Sequence, residues 1–225
     1  MRGTLALVGG GEWTQGCSFD AELAERAGTE VLILPTAAAY ERPDRAVAWA
    51  QDWFAGLGVR ARGLMVLSRA DAESEANAAS VRSAGFVYLG GGSPLHLRAV
   101  LKDTLLWAAL REAWEGGAVV AGSSAGAMVL TDPMVDPRGG AFTLGLGLVT
   151  GLAVIPHFPG WEDHRVARTV GLAAAGLAAA GLAVVGIEER TALISEPDGT
   201  WRAAGAGRVE IKLDGATVGL EALSR

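Results

Sequence analysis

Ala118-Val119-Val120-Ala121-Gly122-Ser123-Ser124-Ala125-Gly126-Ala127-Met128-Val129-Leu130 is an apolar run, a small-residue turn and a helix-compatible stretch in succession. A short apolar run closed by glycine reads as a buried strand. A buried strand that enters a helix through Gly122-x-Ser124-x-Gly126 has the form of a nucleophile elbow, whose strained turn lifts the central hydroxyl clear of the backbone. The N–H of the next residue, Ala125, then points to where an oxyanion would form. Small residues also make ordinary strand-to-helix turns, so the pentapeptide takes its weight from its place after a strand.

The same alternation extends to both sides. Thr4-Val8, Val31-Leu34, part of Val59-Leu67 and Phe86-Leu89 read as strands, ended by Gly9-Gly10-Gly11, Pro35 and Gly90-Gly91-Gly92. Ala21-Ala27, Pro43-Phe54, Ala70-Ser83, Pro94-Leu101 and Thr104-Glu115 read as helices. Regular βα alternation predicts a mostly parallel sheet covered on both faces, with ligands beyond the carboxyl ends of the strands. After Arg190 the segments shorten, and Asp198-Gly199 and Asp214-Gly215 are hairpin signals, which predict a short antiparallel C-terminal extension.

Composition bounds the rest. The 225 residues suit a single α/β domain over 1–225, and half of them are apolar. A net charge of −6 without a basic cluster argues against a nucleic-acid partner. The lone cysteine, Cys17, excludes an internal disulfide and fits a reducing compartment; with no targeting segment before Thr4, the expectation is a cytoplasmic protein. Residues 169–187 carry no charge and are 19 long, enough to span a bilayer, but they are mostly Ala and Gly. The preferred reading there is a helix to about Ala180, Gly181 as its C-cap and a strand over 182–187, with no membrane partner.

A serine nucleophile needs a base, usually histidine, held by a third group. The chain has three histidines. His96 lies inside a helix and reads as structural or solvent-facing. His164, among Glu162, Asp163 and Arg165, reads as a surface or substrate-side residue. His157 follows the apolar strand Leu152-Ile155 and Pro156, at a strand end, and is the favoured base. The orienting acid stays open among Glu188 and Glu189, which end the next strand, and Asp132 and Asp136 after the elbow helix. Trp49, Trp53, Trp107 and Trp114 sit at helical spacing and read as core or helix-packing groups, whereas Trp13 and Trp161 follow glycine-rich or loop segments and could wall a pocket.

Taken together, Gly90-Gly91-Gly92-Ser93, Gly122-Ser123-Ser124-Ala125-Gly126-Ala127, Ile155-Pro156-His157-Phe158 and Gly186-Ile187-Glu188-Glu189-Arg190-Thr191-Ala192-Leu193 resemble the S51 serine peptidases. That family includes dipeptidase E and cyanophycinase. The resemblance implies a three-layer α/β sandwich similar to class I glutamine amidotransferases, and it covers the chain from about Leu7 to Leu193. It implies Ser124, His157 and Glu189 as a catalytic triad, and Gly92 and Ala125 as the oxyanion hole. Arg165, with Arg168 one turn on, resembles the arginine that recognises an acidic substrate group, and Ser93 and Trp161 fall in the substrate region. The implied substrate is a small peptide, foremost a dipeptide with N-terminal Asp, and no metal or other cofactor is required. Some members of the family dimerise, so a homodimer is within what the resemblance implies.

Two departures narrow this. Dipeptidase E has Asn where this chain has Ser93, and the Asp-Gln pair of cyanophycinase is absent. Peptidase activity is therefore more firmly implied than strict Asp-X selectivity, and a cyanophycinase-like β-Asp-Arg peptidase and an esterase on the same triad remain alternatives. A glutamine amidotransferase would need cysteine at position 124, and a dinucleotide site fails because Thr14 breaks the G-x-G-x-x-G spacing.

Overall fold

A computed structural model of the chain describes residues 2–28 and 30–224. The elements run β1 (Leu5–Val8), α1 (Phe19–Ala27), β2 (Glu30–Leu34), α2 (Pro43–Gly56), β3 (Arg60–Gly63), α3 (Arg69–Ala72), α4 (Glu75–Arg82), β4 (Phe86–Leu89), α5 (Pro94–Leu101), α6 (Leu105–Glu115), β5 (Val119–Ser123) and α7 (Ala125–Leu130). Four two-residue strands follow, β6 (Thr131–Asp132), β7 (Met134–Val135), β8 (Phe142–Thr143) and β9 (Val149–Thr150). The rest is β10 (Leu152–Ile155), α8 (Asp163–Ala174), β11 (Ala183–Ile187), β12 (Thr191–Ser195), β13 (Trp201–Gly205), β14 (Val209–Leu213) and β15 (Ala216–Val218).

The mixed α/β architecture with a mostly parallel central sheet is the one expected. That sheet has seven strands in the order β13-β12-β1-β5-β4-β2-β3. The five from β1 to β3 pair in parallel, and β12 and β13 continue the sheet antiparallel. Side chains alternate across it, as the pleat requires. Ala6, Val8, Ile33, Phe86 and Tyr88 face Phe19, Leu23, Ala50 and Phe54 of α1 and α2. Leu5, Leu7, Leu34, Leu89 and Val120 join the larger core with α5, α6, α7 and the strands of a second sheet. Each fully buried Leu or Phe in these layers contributes about 1.5–3 kcal/mol.

The second sheet is where the fold departs from the one-sheet expectation. Strands β10 and β11 pair with each other in parallel, and β14 and β15 extend them antiparallel. The C-terminal hairpins thus serve two sheets, β12-β13 the central one and β14-β15 the other. An apolar run says that a strand is buried, not which strand it pairs with.

Two helix boundaries also differ. The helix expected over Ala70–Ser83 is two helices. A capping box between Ser68 and Asp71 starts α3, and Ser74 is extended (φ −75°, ψ 121°) and begins α4. Helix α8 ends at Ala174, well before the expected Ala180. Gly176 takes φ +67° just beyond it, its N–H donates to Ala173 O and that of Leu177 to Leu172 O, a Schellman closure. Gly171, Gly176 and Gly181 recur in one five-residue pattern, which offers three similar stops. Among the described residues no helix is long and apolar enough to cross a membrane.

Beneath α2, Asp20 is fully buried and accepts a hydrogen bond from Trp53 Nε1 at 2.9 Å. Burial pushes its carboxyl up to about 8, with the nearby Glu12 charge acting in the same direction. Folding therefore takes up a proton at Asp20 between the ordinary carboxylate value of 3.8 and about 8. The stability tied to that proton is complete below the lower value and is lost as pH rises to the upper one. Asp20→Asn, neutral throughout, is expected to gain on the order of 1–3 kcal/mol over the unaltered protein between about pH 5 and about pH 8.5. Urea midpoints of both proteins at the two pH values measure this; a difference independent of pH would refute it.

Candidate active site

The carboxyl ends of β1, β4, β5, β10 and β11 converge. Register brings them level: Val8 lies opposite Ser123, Leu89 opposite Gly122, and Ile155 opposite Gly186. Ser124 sits one residue past β5 with φ +49° and ψ −107°, a conformation an L-residue holds at a cost of roughly 1–3 kcal/mol. Its N–H donates to Val8 O at 2.9 Å and its carbonyl starts α7 by accepting from Met128 N at 3.0 Å. The elbow is thus pinned from both sides, and its Oγ stands clear of the helix.

The two sheets meet through the segment after β1. His157 N donates to Gly9 O at 2.6 Å and Arg190 N to Gly10 O at 2.7 Å, while Gly9 N donates to Thr191 O at 2.9 Å. Gly10 has φ +121°, and a Cβ on it would stand 2.6 Å from His157 Nδ1 and 2.9 Å from Nε2. Only glycine leaves room there for the imidazole.

Held in this way, His157 Nε2 lies 2.8 Å from Ser124 Oγ and Nδ1 lies 2.9 Å from Glu189 Oε1. The other candidate acids are engaged elsewhere. Glu188 faces Arg208 at 3.4 Å, Asp132 accepts from Gly145 N at 2.9 Å, and Asp136 binds Arg138 at 2.6 Å. Adjacent residues at a strand end point to opposite sides, which separates Glu188 from Glu189. Gly92, at φ +133°, turns the loop after β4 toward the elbow, and a Cβ there would stand 2.9 Å from Ala38 N. Among the described residues neither the Gly92 nor the Ala125 N–H donates to a backbone carbonyl. The arrangement can pass a proton from a serine hydroxyl to an imidazole whose far nitrogen is fixed by a carboxylate. Among the described residues no group of three or more His, Cys, Asp and Glu side chains is placed to hold a metal ion.

The sequence model of peptidase family S51 matches residues 5–200. The chain belongs to peptidase family S51. It is 32% identical over 225 residues to the cyanophycinases of Synechococcus elongatus and Thermosynechococcus vestitus, covering 93% of this chain and 68% of each relative. A solved peptidase from an acI-B1 Actinobacterium superposes with a TM-score of 0.85 at 31% identity, over 97% of this chain and 93% of that one.

In this S51 chain a residue that sequence reasoning passed over joins the two arms of the elbow region. Glu12 accepts from Gly91 N at 2.9 Å and from Ser123 Oγ at 2.7 Å, so one carboxylate ties the residue before Gly92 to the residue before Ser124. The signal was available: an acid directly after Gly9-Gly10-Gly11, at the carboxyl end of a parallel strand.

The remaining expected residues divide. Arg165 and Trp161 line a cleft of about 380 Å³ with Gly92, Ser124, Ala125 and His157. Arg165 is partly occupied, with Nε 3.0 Å from Glu162 Oε2 and a terminal nitrogen donating to Pro137 O at 3.3 Å. Arg168 is not among the residues that line this cleft; it is exposed on α8 beside the turn at Gly139. Ser93 caps α5, its Oγ accepting from His96 N at 3.2 Å. His96 Nε2 lies 3.1 Å from Leu67 O, and His164 is exposed near Glu162 at 3.5 Å, matching their non-catalytic readings. Trp107 and Trp114 are core and Trp53 packs against the core beneath α2, whereas Trp49 is 56% exposed; both Trp49 and Trp53 line a second cleft beside Ser124.

Proposed function

We propose that this S51 chain is a serine-type exopeptidase for short peptides, foremost dipeptides with an N-terminal aspartate. The observation that carries the reading is the unbroken relay from Ser124 Oγ to His157 to Glu189, at 2.8 and 2.9 Å. In acylation His157 Nε2 takes the hydroxyl proton as Ser124 Oγ bonds to the scissile carbonyl carbon. The N–H groups of Gly92 and Ala125 receive the oxyanion, each such donor supplying about 3 kcal/mol. Collapse breaks the C–N bond, and His157 hands its proton to the departing amine. Water then enters, deprotonated by His157, and releases the acid from Ser124. Glu189 holds the Nδ1–H tautomer throughout, which keeps Nε2 free to accept.

Arg165 supplies the acidic preference. It is the cation lining the smaller cleft, and an aspartyl carboxylate of the acyl residue would compete with Glu162 for it. The identity to cyanophycinases favours a second substrate, β-Asp-Arg, which presents an acidic group to the same arginine.

Hydrolysis of α-Asp-Leu, β-Asp-Arg, Ala-Leu and an aryl ester by the unaltered protein and by Arg165→Met separates these. The expected result is α-Asp cleavage that falls about 10²-fold in kcat/KM in the variant, with Ala-Leu poor in both. Preference for β-Asp-Arg would move the enzyme to the second substrate. Equal turnover of Ala-Leu and Asp-Leu would remove the acidic requirement, and turnover of the ester alone would remove peptide hydrolysis.

A further inference from the structure

The cleft beside Arg165 accounts for one side of Ser124 only. A second cleft, of about 990 Å³, opens on the other side. The two share Gly92, Ser124 and His157 and no other lining residue, so the nucleophile, the base and an oxyanion-side amide form the junction between them. A peptide bond placed on Ser124 has to send one flank into each.

The second cleft has a different chemistry. One face of α2 lines it at helical spacing, with Arg45, Ala46, Trp49, Asp52 and Trp53, preceded by Arg42 at the N-cap. Trp13 closes it from the segment after β1. Trp49 keeps 56% of its surface exposed, an apolar area left unburied at the mouth of a cleft that reaches the nucleophile. The guanidinium of Arg45 lies 4.7 Å from the centre of the Trp49 ring. Arg42 is engaged by Asp44 at 3.1 Å, whereas Arg45 has no carboxylate partner among the described residues. The carboxylates Glu12, Glu41 and Asp52 also line the cleft, Glu12 being held by Gly91 N and Ser123 Oγ; a wall of indoles next to a guanidinium without a carboxylate partner suits a large apolar side chain that carries an anion.

We propose that this second cleft is the leaving-group subsite, and that it takes an aromatic or large aliphatic residue whose free carboxylate meets Arg45. The assignment rests on the serine-peptidase reading above, in which the acidic acyl residue occupies the Arg165 side. The sequence of binding is then fixed: acid toward α8, bulky residue toward α2, scissile carbonyl at Gly92 and Ala125. Specificity for the leaving residue comes from Trp49 and Trp53, and preference for a chain end comes from Arg45.

The test measures kcat/KM for Asp-Phe, Asp-Leu, Asp-Gly and Asp-Phe-amide with the unaltered protein, Trp49→Ala and Arg45→Gln. Both side chains are exposed, so both variants are expected to fold. The unaltered protein should favour Asp-Phe over Asp-Gly about tenfold or more, the contribution of an aromatic group leaving water. Trp49→Ala should collapse that ratio to within about threefold, and Arg45→Gln should erase the advantage of Asp-Phe over its amide. Brisk hydrolysis with an Asp-Phe to Asp-Gly ratio near unity would overturn the subsite and leave the serine peptidase standing. If no peptide is cleaved, calorimetric titration with L-phenylalanine decides: binding that Trp49→Ala weakens supports the cleft as an aromatic amino-acid site, and no binding overturns it.

Discussion

Ser124→Ala is expected to lower kcat/KM on the preferred dipeptide by about 10⁴-fold or more while leaving the fold intact. The hydroxyl has no structural employment that alanine would forfeit. Its contact in the site is His157 Nε2, and the backbone hydrogen bonds of residue 124 to Val8 and Met128 do not involve the side chain. What remains in the variant is the pair of amides and the two clefts, which bind but cannot form an acyl-enzyme. Steady-state kinetics with a thermal melt beside them checks the point. Activity within about tenfold of the unaltered protein, with the fold preserved, would require a different nucleophile.

Gly10→Ala should also be strongly damaging, through a residue that is not itself part of the relay. A Cβ at position 10 would press on the imidazole, standing 2.6 Å from Nδ1, the nitrogen that faces Glu189. Relief comes only by rotating the ring or shifting the backbone, and either breaks the relay. A loss of about 10²–10³ in kcat is expected, because small misplacement of a base is costly, along with roughly 1–3 kcal/mol of stability from the left-handed φ. Gly28→Ala is the control. Gly28 also has a positive φ, of +103°, but a Cβ there meets nothing within 4 Å. It should lose stability by a similar amount and keep its activity. If both variants kept activity, steric protection of His157 by Gly10 would be refuted.

Much of this site was legible in the chain because parallel strands end in the same place. Three glycine-rich segments and the sequence Pro156-His157 fall just after apolar runs, and in an α/β sheet those positions gather. Strand partnership was not legible. Runs such as Leu152-Ile155 and Val184-Ile187 are as apolar as those of the central sheet, yet they build a second sheet, joined to the first by backbone hydrogen bonds at Gly9 and Gly10 that leave no side-chain signature. From the residues alone, without the resemblance that implies Glu189, the acid stays open for the same reason: four carboxylates lie within reach in sequence, and the geometry at the end of β11 turns Glu189 toward His157 and Glu188 toward Arg208.

Trp49 was misread through a sound rule. Its spacing to Trp53 marks one face of α2, but periodicity shows that residues share a face without showing what the face meets. Ser93 carries the opposite lesson. A residue placed by resemblance beside the substrate also caps α5, its Oγ accepting from His96 N at 3.2 Å, a structural role that the resemblance does not announce.

The most direct measurement is covalent. A fluorophosphonate reagent attacks a serine only where that serine is activated and its phosphoryl oxygen is held, so stoichiometric labelling followed by peptide mapping reads the nucleophile itself. The account predicts one equivalent on the peptide containing Ser124, with dipeptide hydrolysis falling in proportion to the label and no labelling after His157→Ala. Peptide hydrolysis that persists with Ser124 fully modified, or a label carried on another residue, would contradict it.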